Sequence, residues 1–496
     1  MRNFGFDSEK YLSIQTEKII ERIKKFGGKL YLEFGGKLFD DFHASRVLPG
    51  FAPDNKIKML CKLKDVAEVV IVINSEDIAK NKVRSDLGIT YDVDVLRLLD
   101  VFRSYGLYVG SVVLSRFDEN NEPAKCFKRK LEKLGLKVYI HYTIKGYPTD
   151  IQNVISENGF GKNEYIKTSR DLVVITAPGP GSGKMATCLS QLYHDYKRSI
   201  KAGYAKFETF PIWNLPLTHP VNMAYEAATA DLNDVNMIDP WHLQAYGETT
   251  VNYNRDVEVF PVLNTLFEKV MEESPYKSPT DMGVNMVGFA ICDDNACREA
   301  SKQEILRRYF KALEKERRNN LDPIESDKIL LLMNSLNVTI KDRKAYEKCL
   351  EKQAKTGVPC SAIELEDGTV ITGKTSDLFE SQSAVILNAL KYLANIDDSE
   401  NLLSPETIVP ITKLKVKYLS SQTPRLHIDE TLIALSSSCS TNKNAELALK
   451  QLPKLKNAEL HSSILLPHID IKMLRKLGVN QTSSPIYEDK IPKYEI

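Results

Sequence analysis

Residues 173 to 192, VVITAPGPGSGKMATCLSQL, carry the residue types and spacing that come nearest to phosphate chemistry in this sequence. An apolar strand leads into three glycines, and a lysine then opens a helix. Glycines permit the backbone angles that let successive N–H groups converge on an anion, and the helix N-terminus adds partial positive charge. We therefore predict that a phosphate-containing ligand binds at Gly179, Gly181, Ser182, Gly183 and Lys184, with Lys184 stabilising the phosphate charge.

The match to a phosphate-binding loop is incomplete. In the pattern G-x-x-x-x-G-K-[ST], Gly183 and Lys184 supply the G-K pair, but Pro178 replaces the first glycine and Met185 replaces the hydroxyl residue that binds magnesium. Several strands also precede this loop, whereas typical proteins with that pattern carry it after their first core strand. The expected cofactor is thus a nucleotide or phosphate, with the use of Mg²⁺ left open. The alternative is a glycine-rich turn that only packs strand against helix.

A second candidate region lies downstream, in NLPLTHPVNMAYEAATADLNDVNMIDPWHLQAYGETTVNYNRD. Dense Asn, Tyr, His and Asp in a loop-rich region is typical of a ligand-lined surface. We predict that four residues of this segment are catalytic, with His219 or Glu226 as the general base: His219, Glu226, Asp239 and His242. The substrate contacts predicted here and in the following loop, YKSPTDMGVN, are Asn222, Tyr253, Arg255, Lys277, Thr280 and Asp281.

The alternative for this segment is a solvated helix followed by a hydrogen-bonded loop. His219 and His242 with a nearby carboxylate would also suit a metal ion. However, neither H-x-x-x-H nor H-E-x-x-H occurs, so zinc-protease chemistry has no support and no metal ligand is assigned.

Two classes of function follow from these residues. The first is a phosphotransferase or hydrolase that acts on a small phosphorylated molecule. The second is a non-catalytic ligand-binding or assembly protein, in which the charged helix expected over residues 302–318 lies at an oligomer interface. A homo-oligomer is expected, and the chemistry alone leaves both classes open.

The composition argues against two other classes of protein, general nucleic-acid-binding proteins and membrane-spanning proteins. The chain has 496 residues, 43% of them hydrophobic and 27% charged, and a formal net charge of +1. A near-neutral chain argues against general nucleic-acid binding, and no apolar run is long enough to span a membrane. The eight cysteines are scattered without a C-x-x-C pair, and no secretory signal opens the chain, so we expect reduced thiols and a cytoplasmic location.

The elements that must position these residues alternate between strands and helices. In residues 1–215 this alternation predicts an α/β domain with a doubly wound, mostly parallel sheet. Residues 216–325 form a polar, mostly helical middle region, and residues 326–496 form a second α/β domain. Within that domain Asp367-Gly368 predicts a hairpin turn, and the apolar run in residues 432–438 predicts a strand.

Three stretches together resemble an uncharacterised bacterial family, known as domain of unknown function 1846 and UPF0371: APGPGSGKMATCLSQLYHDY, LTHPVNMAYEAATADLNDVNMIDPWHLQAYG and SPTDMGVNM. The resemblance extends over essentially the whole chain. It implies a cytosolic protein with an N-terminal α/β region, a helical insertion and a C-terminal α/β region, and it implies no activity. Some members carry the label ATP-dependent peptidase, but this sequence has neither a metalloprotease helix nor a G-x-S-x-G elbow.

The C-terminal stretch CSAIELEDGTVITGKTSDLFESQSAVILNALKYLANI is similar in layout to the cytidine-deaminase fold. In that fold a helix begins with a zinc ligand and a catalytic Glu, and a later P-C-x-x-C completes the metal site. Here the matching positions are Glu380, Ser381 and Gln382, and Cys439 is the single later cysteine. The likeness therefore implies a domain that has lost zinc chemistry. An unrelated α/β domain is the alternative.

Overall fold

The computed structural model describes residues 4–35, 38–39, 41–84 and 87–488. The chain divides into two compact units. The first, here the N-terminal unit, contains residues 4–226 and 233–300, and the second, here the C-terminal unit, contains residues 227–232 and the chain from residue 301 onwards. The division into three segments at residues 215 and 325 stays a prediction.

The strands of both units, in chain order, are β1 (Leu30–Phe34), β2 (Ala67–Asn74), β3 (Val83–Arg84), β4 (Ile89–Thr90), β5 (Tyr108–Phe117), β6 (Lys137–Tyr142), β7 (Leu172–Thr176), β8 (Gly203–Phe207), β9 (Asn236–Ile238), β10 (Val251–Tyr253), β11 (Gly283–Val284), β12 (Cys360–Glu364), β13 (Val370–Lys374), β14 (Glu459–Ser462) and β15 (Asn480–Ser483).

The α-helices are α1 (Ser8–Lys25), α2 (Phe42–Val47), α3 (Asn55–Lys62), α4 (Ser75–Ala79), α5 (Tyr91–Ser104), α6 (Glu122–Lys133), α7 (Ile151–Val154), α8 (Lys184–Tyr196), α9 (Pro220–Ala228), α10 (Pro240–Tyr246), α11 (Asn254–Met271), α12 (Pro279–Met282), α13 (Asp294–Asn319), α14 (Ile324–Ser335), α15 (Lys344–Thr356), α16 (Ser381–Leu393), α17 (Pro405–Lys413), α18 (Ile428–Ser438), α19 (Lys443–Leu449) and α20 (His468–Lys476).

The core of the N-terminal unit is a seven-stranded sheet in the order β11-β8-β1-β7-β2-β5-β6. Every neighbouring pair in this sheet is parallel. All residues of β1, β2 and β7 are buried, which explains why these strands read as continuous apolar runs rather than as alternating ones. The predicted α/β class with a large parallel sheet is therefore confirmed.

Two neighbouring strands of this sheet, β7 and β2, send their connections in opposite directions. From β7 the chain passes through α8 to β8, on the far side of β1, whereas from β2 it passes through α4 and α5 to β5, on the other side. In open parallel sheets a crevice forms at such a reversal, outside the carboxyl ends of the strands, and ligands bind there. The loop that follows β7 is the glycine-rich one.

The C-terminal unit is built on a smaller, mixed sheet in the order β13-β12-β14-β15. Strand β12 is antiparallel to β13 and to β14, and β14 is parallel to β15. The predicted hairpin at Asp367-Gly368 is confirmed: Gly368 takes a φ of +81°, and Asp367 Oδ1 accepts the N–H of Thr369 at 2.9 Å. Helices α16 and α18 bury Val385, Leu390 and Leu435 in the core of this unit.

The strand predicted over residues 432–438 is wrong, because these residues form the second half of α18. The buried positions of that helix are Ile428, Thr431, Ala434, Leu435 and Ser438, which recur every three to four residues. A four-residue apolar run does not by itself distinguish a strand from a buried helical segment.

Candidate functional site

The glycine-rich segment forms a loop, residues 177–183, between β7 and α8 at the carboxyl edge of the parallel sheet. We call it the glycine loop. Gly181 and Gly183 have φ values of +74° and +90°, in the left-handed region that side chains disfavour. Gly183 is the N-cap of α8, and Lys184 is the first residue of that helix.

Two residues from neighbouring connections pack directly on this loop. Ser115, near the end of β5, donates its hydroxyl to the carbonyl of Ser182 at 2.6 Å, and a Cβ atom added to Gly183 would lie 3.2 Å from the Ser115 side chain. A Cβ atom added to Gly179 would lie 2.3 Å from the Tyr91 hydroxyl oxygen. Gly179 and Gly183 are therefore needed for close packing, and the first residue of α5 borders the same crevice.

Sequence reasoning missed Tyr91 and Ser115. Ser115 directly follows the apolar residues Val112, Val113 and Leu114, and the carboxyl ends of parallel strands meet at one edge of a sheet. Its position at the end of an apolar run could therefore have identified it. Nothing in the sequence around Tyr91 marks it.

The hydrogen-bond donors of the loop are available. Within the described residues, the backbone N–H groups of Gly181, Gly183 and Lys184 have no acceptor, and the helical pattern begins with Thr187 N–H to Gly183 O at 2.9 Å. The Lys184 side chain is half-buried and forms neither a hydrogen bond nor an ion pair in that part of the chain. The hydroxyl of Ser182 is buried and also has no partner there. The loop thus presents several N–H groups and one ammonium group.

The inner face of α8 is different, because its polar groups are bonded within the protein. The Gln191 side chain accepts the N–H of Ile166 at 2.7 Å, and Thr187 donates its hydroxyl to Gly183 O at 3.0 Å. His141 lies beside Thr187 and Gln191 and contacts the carbonyl of Glu164 at 3.2 Å. Complete burial lowers the pKa of His141 to about 4, so this ring is neutral near pH 7. These contacts fix the helix behind the loop.

The predicted catalytic residue His219 has both ring nitrogens engaged. Its Nε2 lies 2.8 Å from Asp294 Oδ1, and its Nδ1 accepts the N–H of Val221 at 3.2 Å. Burial and the neighbouring Arg298 lower the pKa of His219. Asn222 is fully buried and bonds both the N–H and the carbonyl of Ile212, at 2.7 and 3.0 Å.

Asp239 is fully buried and accepts four hydrogen bonds. Its Oδ1 accepts the N–H groups of Trp241 and His242 at the start of α10, each at 3.1 Å. Its Oδ2 accepts the N–H and the hydroxyl of Thr280, at 3.1 and 2.7 Å. His242 contacts the Ser278 hydroxyl through Nδ1 at 2.9 Å. These bonds join three of the predicted site residues, Asp239, His242 and Thr280, into one cluster.

The other predicted residues of this region occupy varied surroundings. Glu226 accepts the N–H of Asn236 at 3.1 Å, and burial raises its pKa. Tyr253 is buried, whereas Arg255 is exposed and pairs with Asp234 at 3.3 Å.

Lys277 and Asp281 lie near the surface. Asp281 accepts the Tyr246 hydroxyl at 2.9 Å and the Lys277 N–H at 2.8 Å. Lys277 and Trp241 also border an open depression of about 700 Å³. Among the described residues, no hydrogen bond or ion pair joins the glycine loop to this middle segment, and the catalytic and substrate roles assigned to it stay predictions.

No group of three or more His, Cys, Asp or Glu side chains within the described ranges is arranged to hold a metal ion. No described helix combines the length and the apolar character needed to cross a bilayer.

Family profiles and individual relatives identify the same protein family for this chain. The chain matches the profile described as domain of unknown function DUF1846, N-terminal, over residues 4–337, and the corresponding C-terminal profile over residues 341–492. A UPF0371 protein of Corynebacterium urealyticum is 57% identical over 97% of each chain. A UPF0371 protein of Streptococcus uberis is 56% identical over 99% of each chain, and one of Streptococcus pyogenes serotype M5 is 56% identical over 98% of this chain and 99% of its own.

Proposed function

The chain belongs to the uncharacterised DUF1846 family, UPF0371, and we propose that its N-terminal unit binds a small phosphorylated ligand, a nucleotide or a phosphorylated metabolite, at the glycine loop. The single observation that carries this proposal is the set of unbonded donors there: the N–H groups of Gly181, Gly183 and Lys184, and the Lys184 ammonium group.

The chemistry of these donors favours an oxyanion. A phosphate group offers several oxygens that accept converging N–H groups, and the N-terminus of the thirteen-residue α8 adds partial positive charge. A hydrogen bond to a charged group contributes about 1.5–3 kcal/mol. The position supports the same ligand class, because the loop lies at the carboxyl edge of the sheet where the connections of β7 and β2 diverge.

Catalysis is the further step of the proposal. A phosphotransferase or hydrolase would use Lys184 to stabilise negative charge on the transferred phosphoryl group and a base to activate the attacking hydroxyl or water. Of the two predicted bases, His219 has both ring nitrogens engaged, and Glu226, whose carboxyl group accepts the N–H of Asn236 and has a pKa raised by burial, is the one tested below.

The second candidate is a phosphate-ligand-binding protein without catalysis. The observation that favours it is the internal use of polar groups in the middle segment: Asp239 accepts four protein donors, and His219 uses both nitrogens. Under this alternative the middle segment is a rigid scaffold, and the glycine loop is the binding site.

Calorimetric titration tests the binding. Inorganic phosphate, ATP and GTP are titrated with and without Mg²⁺ into the wild-type chain, Lys184→Ala and Lys197→Ala. Lys197 follows the last turn of the same helix and pairs with Glu157, so it is a matched control. We expect Lys184→Ala to weaken binding about 10- to 100-fold, which corresponds to the loss of one charged hydrogen bond, and Lys197→Ala to bind normally. Failure of all three probes to bind, or equal affinity in Lys184→Ala, would contradict the proposal.

Turnover distinguishes the two candidates. Release of phosphate from the probe that binds is measured for the wild type and Glu226→Gln. A catalytic protein with Glu226 as base loses turnover in this variant but keeps its affinity. Binding without turnover in the wild type selects the non-catalytic candidate.

A further inference from the structure

Three strands of the parallel sheet, β7, β2 and β5, end at the crevice that contains the glycine loop. Strand β7 leads into the loop itself, β2 leads into Ser75, and the last turn of the chain before the end of β5 carries Ser115 and Arg116. Asn74 and Ser115 are paired in the register of β2 and β5, and Ser115 donates its hydroxyl to the Ser182 carbonyl at 2.6 Å. The ends of β2 and β5 therefore border the same crevice as the loop.

Arg116 lies in a β-bulge near the end of β5. The register with β6 shifts between Leu114 and Phe117, and Arg116 takes a φ of +50°. The other described positions that combine a positive φ with a side chain are six Asn, two Ser and Glu272, and all of them lie outside strands. This conformation is strained for an arginine. Because bulges and strained residues are frequent next to functional sites, the bulge motivates a functional explanation.

The ends of β2 and β5 carry two polar groups without a partner. The Arg116 side chain is exposed, and it forms neither a hydrogen bond nor an ion pair in the part of the chain that the structure describes. Asp118, the nearest carboxylate along the chain, accepts the N–H of Asn120 at 2.8 Å instead. The hydroxyl of Ser75 is fully buried and also has no partner within the described residues. Together these ends offer one hydroxyl and the N–H donors of a guanidinium group.

We propose that Arg116 and Ser75 form a second phosphate subsite, so that the ligand of the glycine loop is a diphosphate, either free or as part of a nucleotide. This inference rests on the proposed function, because it extends the same site. One phosphate group accepts the N–H groups of the glycine loop and pairs with Lys184. The adjoining phosphate group pairs with Arg116 and accepts the hydroxyl of Ser75.

The balance of charge favours two phosphate groups over one. Lys184 and the N-terminus of α8 together supply a charge of about +1.5, because a helix N-terminus is equivalent to about half a positive charge. One phosphate group, with a charge of about −1.5 to −2 near pH 7, already balances this. The further positive charge of Arg116 matches a second phosphate group. A guanidinium group also binds two phosphate oxygens at once, which an ammonium group does not.

A structural role for the bulge explains Ser115 but not Arg116. The Ser115 hydroxyl bonds the Ser182 carbonyl, and Gly183 packs against the Ser115 side chain. A glycine or an asparagine at residue 116 would permit the same backbone with less strain. What arginine adds at this position is its charge and its donors, which no described residue uses.

Calorimetric titration of the full chain tests the subsite. Inorganic phosphate, pyrophosphate and ADP are titrated into the wild type and Arg116→Ala. We expect at least one of the two diphosphates to bind at least about tenfold more tightly than phosphate, which corresponds to one additional charged hydrogen bond. Arg116→Ala should remove this preference and keep the wild-type affinity for phosphate. Pyrophosphate and ADP separate a free diphosphate from a nucleoside diphosphate as the source of the two phosphate groups.

Two further variants are the controls. Arg103 is exposed in the last turn of α5, about 18 Å along that helix from Tyr91, and Arg103→Ala should bind all three probes as the wild type does. Arg116→Gly separates binding from folding. Glycine adopts a φ of +50° without strain, so this variant should resist urea at least as well as the wild type and still lose the preference for a diphosphate.

The outcomes distinguish this subsite from the glycine loop. Phosphate binding without a preference for either diphosphate, or an equal preference in Arg116→Ala, would overturn the subsite and leave the glycine loop in place. Failure of phosphate, pyrophosphate and ADP to bind would contradict the proposed function and this inference together.

Discussion

The glycine loop and the middle segment are both rich in polar groups, but the structure uses these groups in opposite ways. In the loop, the N–H groups of Gly181, Gly183 and Lys184 are unbonded within the described residues. In the middle segment, Asp239 accepts four donors of the protein itself. A dense polar sequence therefore shows the capacity to form hydrogen bonds, whereas a binding site requires that some donors or acceptors have no partner within the protein.

We expect the largest change in stability in the middle segment, where the polar groups are bonded within the protein. Asp239→Ala removes the acceptor of four hydrogen bonds in a buried region, so we expect the free energy of unfolding to fall by at least about 3 kcal/mol. Urea denaturation measures this change. Glu258→Ala, at an exposed position of α11, should change it by less than about 0.5 kcal/mol. A loss below about 1 kcal/mol for Asp239→Ala would show that these hydrogen bonds do not hold the middle segment together, and its contrast with the glycine loop would no longer stand.

The next effect concerns His141, which lies against the inner face of α8, the helix that follows the glycine loop. The folded-state pKa of His141 is about 4, below its usual value of 6.5, because the ring is buried. As the pH falls below about 6.5, the unfolded chain gains a proton that the folded chain does not, so stability is lost progressively down to pH 4. The total is about 3 kcal/mol.

Denaturation of the wild type and His141→Gln between these two pH values measures this loss. The variant should show a shallower decline of stability with acidification, whatever its stability at neutral pH. His468→Gln should retain the wild-type slope, because this histidine is exposed. Identical slopes of stability against pH in the wild type and His141→Gln would show that the inner face of α8 is not buried from water.

Smaller losses of stability are expected when glycines of the loop are replaced by alanine, and the losses should differ between Gly183 and Gly181. Gly183→Ala places a methyl group 3.2 Å from Ser115 at a φ of +90°, and we expect a loss of about 2 kcal/mol. Gly181→Ala meets nothing within 4 Å at a φ of +74°, so only backbone strain of about 1 kcal/mol remains. Gly106→Ala, at a φ of +73° and equally open, is the matched control for that strain. Thermal or urea denaturation should rank Gly183→Ala above the other two, and equal losses would show that Ser115 does not constrain the loop.

Patterns within short stretches of sequence predicted those strands and helices whose formation depends on neighbouring residues alone. The parallel sheet followed from apolar runs such as that of β2, and the strand, loop and helix around the glycines followed from their order in the chain. The same reasoning failed at residues 432–438, where a short apolar run fits a strand or a buried helix equally well.

The candidate site raises a different difficulty for prediction from sequence. The types of its residues are visible in the sequence, but their partners are not. Ser115 meets Ser182 across 67 positions of the chain, and Asp239 meets Thr280 across 41. Whether a polar side chain is consumed by such a partner or left for a ligand is decided by tertiary contacts, which spacing along the chain does not encode.

The unbonded amides of the glycine loop are the groups that we propose receive an oxyanion, and NMR observes them directly. The full chain is labelled with ¹⁵N at glycine and titrated with inorganic phosphate, and the N–H resonances are followed. We expect saturable shifts of the Gly181 and Gly183 N–H resonances, which should be weakened in Lys184→Ala, whereas the resonances of Gly106 and Gly135 should not move. Resonances of Gly181 and Gly183 that stay fixed at high phosphate, or that move only as much as those of Gly106 and Gly135, would contradict it.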